Sequence, residues 1–244
     1  MSHLSRRNFL KGSAVIAAAA AAGFHGLFGL RRSLAQMQDD DLQTVLDLAA
    51  TAETLAATHY YMALTVGVIK FSDFEQKYLR AALESEQVHL DYLMANGGKA
   101  LTNEFYFPNG VFENKATLAT ITEVAENAFI GAYLAATRIF AAASQPLLAM
   151  VAAQVAGVEA QHLAFMRSVG NQEPPNNVAL LEPLFYNVSD AVPTLTPFLE
   201  GKAEGFDDIA TAYPGREKIM EVVGKSALKP VLPATDPDAF KGAM

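Results

Sequence analysis

Two stretches of this chain obey one pattern. Glu86 to Leu93 reads EQVHLDYL and Glu159 to Met166 reads EAQHLAFM, both E-x-x-H-L-x-[FY]-[LM], 73 positions apart. In each, an acid and an imidazole interrupt an otherwise apolar run. The same offset relates two further elements: Ala52-Glu53 is followed by Tyr60, and Ala125-Glu126 by Tyr133, each A-E-x6-Y. Glu53 precedes Glu86, and Glu126 precedes Glu159, by 33 residues. A duplicated helical hairpin folds as a pseudo-twofold bundle, and residues related by the twofold converge on its axis. The repeat therefore predicts an all-α bundle with its acids and imidazoles facing inward.

Helical periodicity supports this over four segments. The first runs from about Asp41 to Val68, with Leu42, Val45, Leu46, Ala49, Ala52, Ala56 and Tyr60 in its apolar pattern. Phe71-Ser72-Asp73 breaks it, and Ser72 with Glu75 reads as a capping box. The second runs to about Ala95 and stops at Asn96-Gly97-Gly98. The third spans about Lys115 to Ala143. The fourth opens at Gln145-Pro146, proline suiting a first turn, and ends near Gly170-Asn171. Short joins within each pair predict two antiparallel hairpins, and Gly97 to Asn114 is long enough to cross the length of a bundle. Beyond Asn171 the composition changes: nine of the eleven prolines lie between Pro174 and Pro237. This predicts an irregular extension with one short helix around Arg216 to Ser226. Its Leu180, Leu181, Leu184, Phe185, Phe198 and Leu199 predict packing on the bundle.

The acids of the repeat fall inside the apolar stripes. Glu53 lies seven residues from both Leu46 and Tyr60, and Glu126 lines up with Phe129, Tyr133 and Phe140. Glu86 and His89 continue the stripe of Leu79, Leu83, Leu90 and Leu93; Glu159 and His162 continue that of Ala152, Val155 and Ala156. A buried carboxylate without a partner costs several kcal/mol or protonates, so four facing one another need positive charge. Two divalent metals supply it. Positions i and i+3 share a helix face, so each E-x-x-H offers two ligands to one metal. One Glu from each of two helices plus an E-x-x-H from each of the others is a di-iron or di-manganese set, and oxygen with a little nitrogen suits two Fe or two Mn ions. The expected metal ligands are Glu53, Glu86, His89, Glu126, Glu159 and His162; the alternative is a degenerate, metal-free bundle. Glu123 competes with Glu126 but stands 36 residues before Glu159 and breaks the repeat. Glu84 lies off the inward face and is expected to be solvated. His59 is expected to pack rather than ligate. For Tyr60 and Tyr133, core packing is the default, with a hydrogen bond to the site or a one-electron role as the functional alternative.

Composition narrows the chemistry. The chain has 244 residues and no cysteine, which excludes zinc–thiolate sites, iron–sulfur clusters and disulfides. Residues 1–35 hold five basic and no acidic residues, leaving 13 basic against 26 acidic in the remainder. That balance argues against a nucleic-acid partner. Ser5-Arg6-Arg7-Asn8-Phe9-Leu10-Lys11 resembles the twin-arginine export signal at every defined position, S-R-R-x-F-L-K. A weakly hydrophobic Ala/Gly stretch follows, then Ser33-Leu34-Ala35, which fits cleavage after Ala35 with Gln36 opening the mature chain. The resemblance implies a bacterial protein exported already folded by the twin-arginine machinery to the periplasm or beyond. An uncleaved membrane anchor is the lesser alternative.

With all six positions present, residues 40–170 resemble the ferritin-like superfamily, which includes rubrerythrin, bacterioferritin and manganese catalase. AENAFIGAY and VEAQHLAFMR look most like the exported ferritin-like domain proteins grouped with plant desiccation-related proteins. The resemblance implies a ferritin-like four-helix bundle in which Glu53 and Glu126 are terminal ligands, Glu86 and Glu159 bridge, and His89 and His162 complete each metal. The expected organisation is a signal peptide over 1–35, the bundle over 36–171 and the Pro-rich extension over 172–244. Two functions follow. One is a di-metal oxidoreductase acting on O2 or H2O2 in a ferroxidase, peroxidase or catalase-like reaction. The other is a non-catalytic stress or desiccation-related bundle that holds metal. A homo-oligomer is open under both.

Overall fold

The computed structural model describes residues 38–229, except 67, 173, 178, 180 and 202. The expected export residues Arg6 and Arg7, the cleavage position Ala35 and the tail residue Leu180 lie outside the described residues. Four long helices carry the fold: α1 (Leu42–Thr65), α2 (Asp73–Ala95), α3 (Lys115–Ala142) and α4 (Pro146–Val169). Three begin on side chains that take up free backbone N–H groups. Asp41 accepts from Thr44 N, Ser72 and Glu75 form a reciprocal capping box, and Asn114 accepts from Thr117 N. α4 has no capping side chain and begins on Pro146, whose missing N–H costs nothing there. α1 stops at Thr65, three residues short of the expected Val68.

α1 packs chiefly on α2, and α3 on α4. The start of one helix meets the end of its partner. Gln43, early in α1, donates to Gly97 O just past α2 at 3.0 Å, and Asp47 accepts from Lys99 N at 2.7 Å. Early in α3, Glu123 meets Arg167 near the end of α4 at 2.5 Å. Among the described helices α4 alone is long and apolar enough to cross a membrane. Its inward face carries Glu159 and His162, both buried, so in this fold it is a bundle helix.

The long crossover buries Phe105, Phe107 and Val111. It also forms β1 (Glu104–Phe105), which pairs antiparallel with β2 (Thr211–Ala212) of the tail. The described part of the tail is more ordered than its prolines predict. A 3-10 turn over Val188–Ala191 leads into α5 (Val192–Glu200), and α6 (Arg216–Val223) stands close to the expected helix. Two elements depart from the expectation, the β1–β2 pair and α5. Pro193 sits in its first turn and Pro197 removes one hydrogen bond from a nine-residue helix. Burial of Phe198 against Phe107 and Phe206 offsets that loss, being worth roughly 1.5–3 kcal/mol.

α6 and the residues around it lie along α2 and overturn the expectation for Glu84. Its side chain is buried, not solvated, and accepts from Ala227 N at 3.1 Å. Gln87 and Asp91, one and two turns on, take Tyr213 OH at 2.5 Å and Arg216 Nε at 2.9 Å. The face of α2 turned away from the bundle axis is covered by tail.

Leu184 and Phe185 do pack on the bundle, as their hydrophobicity predicts, but Leu181, expected to join them, stands exposed before them in the chain. A Cβ placed on Gly131 of α3 would stand 2.6 Å from the Phe185 ring and 2.9 Å from Leu184 Cβ. Gly131→Ala thus sets two effects against each other: alanine favours a helix by roughly 0.8–1 kcal/mol, while overpacking costs about 1–3 kcal/mol. The clash should win, lowering Tm by about 2–6 °C in a thermal melt. A rise in Tm would mean that the tail does not press on α3.

Candidate metal centre

Glu53 on α1, Glu86 and His89 on α2, Glu126 on α3, and Glu159 and His162 on α4 converge between the helices. Glu86 and Glu159 are wholly buried, Glu53 and Glu126 nearly so. They form two overlapping groups, each with one atom per residue mutually within 4.8 Å. One is Glu53, Glu86, His89 and Glu159; the other is Glu86, Glu126, Glu159 and His162. Glu86 and Glu159 belong to both.

The shared acids divide their oxygens between the groups. Glu86 Oε2 lies 3.4 Å from His89 Nδ1, and its Oε1 lies 2.8 Å from His162 Nδ1. Glu159 does the same, with Oε1 3.3 Å from His89 Nδ1 and Oε2 3.0 Å from His162 Nδ1. The outer acids stand farther off: Glu53 Oε2 is 3.5 Å from His89 Nδ1, and Glu126 Oε1 is 3.9 Å from His162 Nδ1.

The tyrosines of the repeat exchange partners across the bundle. Tyr60 on α1 donates to Glu126 Oε1 at 2.6 Å, and Tyr133 on α3 donates to Glu53 Oε1. Each outer carboxylate is thus held by one oxygen while its Oε2 has no hydrogen-bond partner. His59 stays out of the cluster: it packs beside Phe107 and Phe112, and its Nε2 meets Thr122 Oγ1 at 2.8 Å. Burial holds its imidazole down at about 4. Glu123, the rival of Glu126, instead pairs with Arg167.

Ser85 has a part that sequence reasoning missed. Its Oγ donates to Ala82 O at 2.8 Å and so faces His162 Nε2, 3.1 Å away, as an acceptor. That fixes the neutral ring with its proton on Nε2 and leaves Nδ1 free toward the acids. The repeat gave no warning, because position 158 is valine.

Electrostatics show what the cluster lacks. Burial, with Glu86 and Glu159 nearby, raises the Glu53 carboxyl well above the usual range. Burial and Glu159 do the same to Glu126. Burial would also raise Glu86, but the imidazoles of His162 and His89 overcome it and hold the carboxyl low. Burial alone would push both imidazoles down; instead Glu53 and Glu159 raise His89, and Glu86 and Glu159 raise His162. Protons are standing in for positive charge. Five carboxylate oxygens (Glu53 Oε2, both of Glu86, Glu126 Oε2 and Glu159 Oε1) and His89 Nδ1 are buried without a hydrogen-bond partner. Orphaned acceptors around two imidazole nitrogens, with no thiolate, suit divalent cations.

Two comparisons bear on the chain. Residues 41–172, more than half of it, match the family model described as a ferritin-like domain. Residues 3–23 match that of a TAT (twin-arginine translocation) pathway signal sequence. No curated protein and no solved structure matches it.

Any metal uptake by this cluster should depend on pH through Glu53, Glu126, His89 and His162. All four carry raised pKa values, so protonation competes with metal and apparent affinity rises with pH. Anaerobic Mn2+ titration in weak buffer with a pH indicator should release protons as the metal binds. Saturable uptake without proton release would contradict the electrostatic picture.

Proposed function

The chain belongs to the ferritin-like domain family, and from that premise we propose that it is an exported di-metal oxidoreductase acting on O2 or H2O2. Its twin-arginine signal directs it across the membrane to the periplasm. The observation that carries the proposal is the shared position of Glu86 and Glu159, each with one oxygen toward each imidazole. Two Fe or two Mn ions fit that donor set: Glu86 and Glu159 would be shared between the ions, while Glu53 with His89 would hold one and Glu126 with His162 the other. When bound, such a pair supplies reversible one-electron steps and a coordination position for the oxidant.

The chain's own residues do the rest. Four carboxylates would balance two divalent ions with both imidazoles neutral, so the loaded site would carry no net charge. Tyr60 and Tyr133 lock the outer carboxylates and keep a hydroxyl proton beside each. Burial raises both phenols well above their ordinary pKa, so they remain protonated donors at any working pH. Ser85 keeps the His162 ring oriented. Helix packing excludes bulk water from the acids and strengthens every interaction among them. This set supports ferroxidase, peroxidase or catalase-like turnover.

Metal-loaded protein should consume O2 with Fe2+ in an oxygen-electrode assay, or remove H2O2 in a direct peroxide assay. Glu86→Ala or Glu159→Ala should lose paired-metal binding and turnover together, because each acid serves both ions. A variant that kept both metals would remove the bridging assignment. Tyr133→Phe should weaken metal binding or activity by about 10–100-fold while the fold survives. Stoichiometric metal with no turnover of either oxidant would favour a protein that holds metal without catalysis.

A further inference from the structure

The two halves of the centre are related by the repeat but are not equally closed. At the His162 half, Tyr78 stands edge-on to the imidazole with ring centroids 6.4 Å apart, and it stacks on Phe165 at 3.5 Å. Its hydroxyl is tied to Gln161 O at 2.8 Å. The offset of 73 puts Val151 at the counterpart of Tyr78, Ala152 at that of Leu79, and Tyr92 at that of Phe165. A tyrosine ring and a leucine are thus replaced by two small side chains around His89.

A cavity of about 170 Å3 stands there, between α2 and α4, which touch little. His89, Tyr92, Tyr133, Val151, Ala152 and Val155 are among its lining. The remainder is Val, Leu, Ala and Phe, and no lysine, arginine, aspartate or glutamate reaches it. Such a wall gives water too few partners. Closed apolar cavities of about 150 Å3 stay dry and accept benzene or xenon, and this one differs in opening to solvent on one side. Val88, half exposed among the lining residues, marks its mouth.

We infer that this cavity binds a small apolar organic molecule of about benzene's size, seated against the His89 half of the centre. The occupant takes the space that the Tyr78 ring fills in the other half. Binding itself needs no metal; the ligand's place beside a metal ion rests on the reading proposed above.

Benzene titrated into the full, metal-loaded protein should bind saturably at one site in calorimetry and raise Tm. Val151→Tyr restores the ring of the sealed half and should weaken benzene binding about tenfold or more, with metal content unchanged. Ala152→Leu does the same work if the first variant fails to fold. Crystals of the wild type under xenon should show xenon beside Val151 and Ala152. No saturable benzene binding, undiminished binding in a folded plugged variant, or xenon only elsewhere would overturn the inference. The same titration on protein offered Fe2+ or Mn2+ and then analysed for metal separates the two readings: benzene bound to protein that takes up neither ion sinks the di-metal proposal and leaves this one standing.

Discussion

Four carboxylates packed between four helices, with two imidazoles among them, set the condition that the rest of this structure meets. Water cannot solvate them, and few protein donors reach them. Without metal, burial favours the protonated carboxyls of Glu53 and Glu126, and the surrounding acids favour the protonated rings of His89 and His162. An apolar core of the same volume would be easier to fold. Such a cluster is consistent with a core that gives up stability for a binding site.

The surrounding elements serve that condition. Capping side chains fix where α1, α2 and α3 begin, and Pro146 where α4 does, and the residues that must meet lie at matching distances along them. The crossed tyrosine pairs tie α1 to α3 through the centre, so the two repeats are joined at the site as well as by chain connectivity. The tail covers α2 from outside with Tyr213 and Arg216, and presses Phe185 on α3 where only glycine fits. Mobility in α2 or α3 would change the spacing of the acids.

What could be read from the sequence was what the duplication wrote twice. Glu53, Glu86, His89 and their partners at an offset of 73 were legible because each lay where an apolar residue belonged, and each had a copy. Helix limits were legible from Ser72, Gly97 and Pro146. Ser85 was not, since a single serine before an acid carries no signal and its counterpart is Val158. α5 was hidden because Pro193 and Pro197 read as loop, and nothing local reveals that Phe198 has a pocket to fill. Glu84 was misjudged because helix-face reasoning knows only one bundle axis and not the tail that returns over the far side. The cavity beside His89 arises from a difference between the repeats, Val151 for Tyr78, that appears only once the helices are assembled.

The same symmetry that reveals the centre gives the measurement that tests it most directly. Anomalous scattering from crystals of protein exported in vivo, recorded at the iron and manganese edges, locates any metal without assuming an activity. The account predicts two peaks between Glu86 and Glu159, one on the His89 side with Glu53 and one on the His162 side with Glu126. A centre without metal, or metal bound only elsewhere on the protein, would contradict it.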